Sequence, residues 1–78
     1  MPTHNVRTRY AKKLKAFGIH LRNLREKKGL SQEELAHRAE ISYNSLNTIE
    51  NGKLNPSLAT LHAIADGLGV KVKELVDY

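Results

Sequence analysis

Cysteine is absent from this 78-residue chain, which excludes disulfide cross-links and thiolate chemistry and fits a reducing compartment. A domain so short and without such staples must be held by helix packing, with or without help from a partner subunit. No apolar run approaches the roughly 20 residues needed to cross a bilayer, and residues 1–9 are too polar for a signal peptide. A soluble, cytoplasmic protein that does not bind membranes is therefore expected. His4, His20, His37 and His62 are scattered, with no two at helical ligand spacing, so neither a metal nor a cofactor is expected. No glycine-framed nucleophile or phosphate loop is present either, which argues against an enzyme.

Acid is scarce in the front of the chain. Up to Lys28 there are nine Lys and Arg residues against the single acid Glu26; from Gly29 onward there are four against seven acids. The net charge of +5 is thus concentrated at one end. A basic front end beside a near-neutral remainder suits an arm or helix end laid on phosphates, with Arg7 and Arg9 as candidates, and a solvated basic tail has the same composition. Hydrophobic residues at 40% and charged residues at 27% are ordinary globular usage, so the chain as a whole is not read as disordered.

Strand alternation is missing as well, and what is present is helical spacing. Residues 1–8 hold Pro2 and Asn5 without apolar periodicity and read as a flexible arm ahead of a domain spanning 9–78. From about Arg9, the recurrence of Tyr10, Leu14, Phe17, Leu21 and Leu24 defines the buried stripe of a first helix that stops at Gly29. Gly18 inside it costs roughly 1 kcal/mol against alanine and marks a place where the helix is expected to break. A second helix opens on Ser31-Gln32-Glu33-Glu34, the spacing of a reciprocal capping box. A third is capped by Ser42 and closes at Asn51-Gly52. Pro56-Ser57 announces a fourth, with Leu58, Leu61, Ile64, Ala65 and Leu68 as its stripe up to Gly69. Val72, Leu75 and Val76 mark a short fifth.

The segment 32–51 is the most informative. Leu35, Ala36 and Ala39 share a helical face, Ile41 sits in a short break, and Leu46 and Ile49 recur three residues apart, so the two short helices must be buried against each other. That is the sequence form of a helix-turn-helix. The outward side of the second of these helices then carries Tyr43, Asn44, Asn47 and Thr48, polar and uncharged, which suits base edges in a major groove. Asn44 suits adenine, whose N6 and N7 an amide meets together; Thr48 offers a methyl for thymine and a hydroxyl; Tyr43 suits a sugar or a phosphate. A solvated helix face is the bland alternative, although such faces are more often charged.

The stretches LRNLREKKGLSQEELA, ISxxxLxxIENGKxNPS from Ile41 to Ser57, and TLHAIADGLGV together resemble the Cro and phage-repressor type of helix-turn-helix regulators, also called xenobiotic-response-element-like, over about residues 18–75. The resemblance implies an all-α, compact five-helix bundle, a lambda-repressor-like DNA-binding domain whose third helix, 42–50, enters the major groove. It implies that Gln32 touches a phosphate and braces that helix. Tyr43, Asn44 and Thr48 would face bases, with Ser42 and Asn47 beside them. It further implies that Arg25 and Glu50 form a buried pair, and that Asn51, Gly52, Lys53 and Asn55 form a loop lying on phosphates. Two positions depart from the pattern: Glu40 stands where a left-handed glycine is usual, at a cost of order 1 kcal/mol, and Gly67 falls inside a helix where alanine is more ordinary.

The function expected is a sequence-specific, double-stranded DNA-binding transcriptional regulator, a repressor or controller. One small recognition domain reads few base pairs, so a homodimer on a palindromic operator is expected, with Val72, Leu75, Val76 and Tyr78 as its interface. Val72 and Leu75 also suit the monomer's own core. The alternative is a protein-interaction module, such as an antitoxin or anti-regulator, using the same fold to bind a protein partner.

Overall fold

The computed structural model describes residues 6–78, with side chains from Thr8 onward. The expected arm therefore lies outside the described residues over 1–5. Its remainder is helical rather than irregular: once Pro2 and Asn5 are passed, nothing in Val-Arg-Thr-Arg opposes a helix, and α1, Val6–Arg9, makes one turn. Tyr10, at φ −110° and ψ 27°, separates it from α2, Ala11–Lys27. Four more helices follow: α3, Gln32–Ala39; α4, Tyr43–Glu50; α5, Leu58–Leu68; and α6, Val72–Leu75. The described residues contain no strand, and the five expected helices are α2 to α6. None is long and apolar enough to cross a membrane.

Their ends follow from local chemistry. Ser31 Oγ accepts the Glu34 amide at 3.0 Å while Glu34 Oε1 accepts the Ser31 amide at 2.9 Å, the complete capping box. Ser42 and Ser57 cap α4 and α5 through the amides of Ser45 and Thr60. At the end of α4, the Gly52 amide returns to Ile49 O and the Lys53 amide to Thr48 O, a paired closure that needs a left-handed residue, here Gly52 at φ 75°.

Helix α2 runs unbroken through Gly18, contrary to the expected interruption. Gly18 is required by the packing of α4 on α2: a Cβ there would lie 2.7 Å from Ile49 O and closer still to Glu50 O. Gly67 has a related role, since its Cβ would meet Leu35 Cδ1 at 3.0 Å and the Ala39 amide nitrogen at 3.3 Å. Its absence lets α5 lie close against α3, where an added methyl would need its neighbours to give by a few tenths of an ångström.

One core joins these helices. Phe17, Leu21, Leu30, Leu35, Leu46, Ile49, Ile64, Leu68 and Leu75 are buried in it, and each fully buried leucine or isoleucine contributes about 1.5–3 kcal/mol. The two stripes read from sequence extend beyond it at their first residues: Tyr10 is 43% exposed and Leu58 68%. Periodicity marks which face a residue takes but not whether a neighbour reaches that far.

Candidate nucleic-acid interface

Helices α3 and α4 are joined by Glu40, Ile41 and Ser42. Glu40 takes the left-handed conformation itself, at φ 57° and ψ 39°, the sole positive φ outside glycine among the described residues. It does so because the turn is held from both sides: the Glu40 amide donates to His37 O at 3.1 Å and the Ile41 amide to Ala36 O at 3.0 Å, while Ile41 packs on the core. The turn therefore keeps its usual shape with the less suitable residue.

The position of α4 is set at its C-terminal end by one carboxylate. Glu50, 2% exposed, accepts Arg25 Nε on Oε2 at 2.7 Å and Arg25 Nη2 on Oε1 at 3.0 Å. Oε1 also takes Gln32 Nε2 at 2.9 Å and Arg22 Nε at 3.4 Å. Arg25 spends Nη1 on Leu30 O at 2.8 Å, so this fork ties α2, the start of α3 and the end of α4 together. Burial pushes the Glu50 carboxyl upward, but the hydrogen bonds from Arg25 and Gln32 and the Arg25 charge outweigh it and hold the group below its ordinary value. The Glu50 hydrogen bond likewise raises Arg25 against the opposing effect of burial. No buried side-chain nitrogen or oxygen among the described residues lacks a partner.

With Glu50 turned inward, the outer face of α4 carries no carboxylate. Tyr43 is 52% exposed, Asn44 is exposed, and Asn47 and Thr48 are half-buried beside them. Two hydroxyls differ from expectation. Thr48 Oγ1 donates to Asn44 O at 2.6 Å, so its proton is engaged in the helix and a methyl and a lone pair remain for a ligand. The Ser42 hydroxyl donates to Ser45 Oγ at 2.8 Å while capping α4. The free proton of that pair is on Ser45, three residues on from the cap.

The residues expected on phosphates flank this face. Gln32 uses one amide hydrogen on Glu50 and keeps the other. Asn51 Oδ1 accepts Arg22 Nη2 at 3.2 Å, which points the Asn51 amide nitrogen outward as a donor. Lys53 is exposed in the same loop. Asn55 lies instead along a groove lined with Leu14, Phe17, Pro56, Val76 and Tyr78. Arg9 is exposed on α1, and the Arg7 side chain is outside the described residues. Arg22 was missed from sequence, although its spacing three residues before Arg25 puts both on one face of α2.

Residues 21–75 match the family model described as helix-turn-helix. The chain belongs to this family. Its helix-turn-helix relatives include an uncharacterized HTH-type transcriptional regulator, y4dJ, of Sinorhizobium fredii, 42% identical over 62 residues and covering 80% of both chains. Control protein C.MunI of a Mycoplasma species is 45% identical over 60 residues, 76% of this chain and 81% of that one. Among solved structures, the restriction-modification controller protein C.AhdI from Aeromonas hydrophila is similar with a TM-score of 0.78 and 39% identity, over 85% of this chain and 98% of that one. Members of this helix-turn-helix family are DNA-binding transcriptional regulators of the Cro and phage-repressor type, not enzymes, and this chain is one of them.

Proposed function

We propose that this regulator reads a specific double-stranded site as a cytoplasmic homodimer, one copy of α4 entering the major groove of each half of a palindromic operator. The observation that carries the reading is the face of α4: Tyr43 and Asn44 project from it, Asn47 and Thr48 flank them, and the helix's one acid is folded away on Arg25. Asn44 is the residue for a bidentate adenine contact, the Thr48 methyl suits thymine, and Tyr43 and Asn47 complete the base-reading set. Gln32, the Ser42–Ser45 pair, Asn51 and Lys53 take phosphates on either side, and Arg9 on α1 is a further cation for them. C.MunI is named a control protein and C.AhdI a controller protein, and a repressor or controller of the same kind is the role assigned here.

A second copy is assigned to the groove beside Asn55. Leu75 is fully buried inside the monomer and offers no surface, and Val72 is half-buried against the core, so the interface expected from sequence is corrected there. Val76 and Tyr78 remain, 46% and 54% exposed, at a groove of about 380 Å³ that also contains Leu14, Phe17 and Leu61. Leu58, one helical turn before Leu61, projects at 68% exposure beside it. Knob and hollow on one surface suit a two-fold pair, in which each copy supplies both.

Selection of bound duplexes from a random pool tests the whole reading. It should enrich two inverted half-sites about 34–36 Å apart, and Asn44→Ala should lose about 1–3 kcal/mol of preference at one base pair of each. A pool that returns no enriched sequence, or an Asn44→Ala variant with undiminished preference, would sink it. Enrichment of single half-sites by a chain that sediments as a monomer on DNA would remove the dimer alone.

A further inference from the structure

The exposed lysines on the N-terminal half of α2 belong to none of the roles above. Lys12, Lys13 and Lys15 all project to solvent there, with no acid in the helix's first turn and no carboxylate in the sequence before Glu26. Cations at a helix N-terminus oppose the helix dipole, and Tyr10 gives this end no side-chain cap, so the arrangement is unfavourable for the free helix. Its location is specific. The loop after α4 packs directly on it: a Cβ on Gly52 would lie 2.6 Å from Lys15 Cα and 3.1 Å from Lys15 Cβ. One and two turns further along, Gly18 abuts the carbonyls of Ile49 and Glu50, and Arg22 holds Asn51. This part of α2 is thereby fixed beside the 51–55 loop.

Resting on the assignment of that loop to phosphates, we propose that Lys12 and Lys15 bind the DNA backbone outside the half-site read by α4. They form a continuation of the loop's phosphate track along the same strand. The two lie three residues apart and so are neighbours on one helix face, about 4.5 Å apart along the axis. Long, flexible side chains at that spacing can reach neighbouring phosphates of one strand. Lys13 is not included, because it lines the groove with Val76 and Tyr78 on another side of the helix. A track of this kind adds affinity and fixes register but does not discriminate bases.

The test compares wild type with the Lys12→Gln/Lys15→Gln double variant and with Lys73→Gln, a charge control at an exposed position on α6. Binding is measured between 50 and 200 mM salt, on the selected site with and without flanking base pairs. Each phosphate contact contributes a slope of about 0.9 in log affinity against log salt, so the double variant should lose about 1.8 for each subunit and about 3.6 for a dimer on both half-sites. Over that range wild type should weaken about 150-fold more than the double variant as a dimer on the flanked duplex, and about twelvefold more on a flanked single half-site bound by one subunit. On the trimmed duplex the two should coincide, and base preference should be unchanged throughout. A double variant whose slope on flanked DNA equals that of wild type, or changes no more than that of Lys73→Gln, overturns the proposal, as does a loss that persists on trimmed DNA. Should wild type select no sequence, the reading of α4 fails, yet the same salt comparison on random duplex still decides whether these lysines hold phosphates.

Discussion

Gly18→Ala sets two well-defined effects against each other. Alanine in a helix interior is worth about 1 kcal/mol over glycine, and from the sequence this substitution should stabilise α2. In the folded chain the new methyl would lie 2.7 Å from Ile49 O and 2.8 Å from the Glu50 carbonyl carbon. Ordinary contact is about 3.5 Å or more, so α2 and α4 must part by at least about 0.8 Å, and by more at the nearer Glu50 O. The obstacles are main-chain atoms and cannot rotate aside. Overpacking of this kind costs about 1–3 kcal/mol, and rigid obstacles place it at the upper end. Subtracting the helix gain leaves a net loss of about 2 kcal/mol, or about 8–16 °C in melting temperature for a domain of this size. Thermal unfolding followed by circular dichroism checks this, at one fixed protein concentration because subunit association would shift the midpoint. DNA affinity should fall too, since the displaced part of α4 carries Glu50 and leads into the 51–55 loop. A midpoint equal to or above that of wild type would show that the helices do not meet through Gly18.

Arg25→Ala should lose about 3–5 kcal/mol in the same melting experiment, because it strands a buried carboxylate and leaves Leu30 O without its donor, whereas Arg25→Met/Glu50→Leu should recover much of that loss. Acid should destabilise the chain in a defined direction. Glu50 is held below its ordinary value of 4.5 in the folded state, so its contribution is complete above that pH and disappears as pH falls through the folded value. Urea midpoints measured at pH 7, 5, 4 and 3 should drop over the lower part of that range, and much less in the double variant lacking the pair. Glu40→Gly should raise the melting temperature, by up to about 1 kcal/mol in stability, because φ 57° is unfavourable for a side chain and suits glycine; a lowered midpoint would mean that the Glu40 side chain contributes more than the turn strain costs.

What the sequence disclosed was mainly local. The Ser31 capping box, the Ser42 and Ser57 caps and the closures at Gly29, Gly52 and Gly69 depend on residues within one turn of each other, and all are placed where the pattern puts them. Gly18 and Gly67 were misjudged for the converse reason. Gly18 is demanded by backbone atoms on another helix and Gly67 lies in a tight approach to one, each about 30 residues away in the chain, and no local pattern encodes that approach. The α4 face was legible as a face, because amphipathic spacing is local too. Its hydroxyl chemistry was not: the proton of Thr48 is engaged by a carbonyl of its own helix, which a helical wheel does not show. Leu75 illustrates a further limit, since apolar spacing at the end of the chain suits both a monomer core and a partner, and only packing distinguishes them.

Support and reading are physically separate in α4. The groups that fix its position, Glu50 with Arg25, Gln32 and Arg22, act on its last residue, and the Gly18 contact acts through main-chain oxygens. The side chains proposed to read bases begin at its first turn, where Tyr43 and Asn44 take no part in the buried network. Exchanging those two therefore leaves the carboxylate fork and its hydrogen bonds in place, and Thr48 loses nothing either, because it bonds the main-chain oxygen of residue 44 rather than the side chain. A frame held by backbone packing and one buried ion pair can carry many different faces, so operator preference can change at positions 43 and 44 without a change in the fold, whereas Gly18, Arg25 and Glu50 have no such freedom.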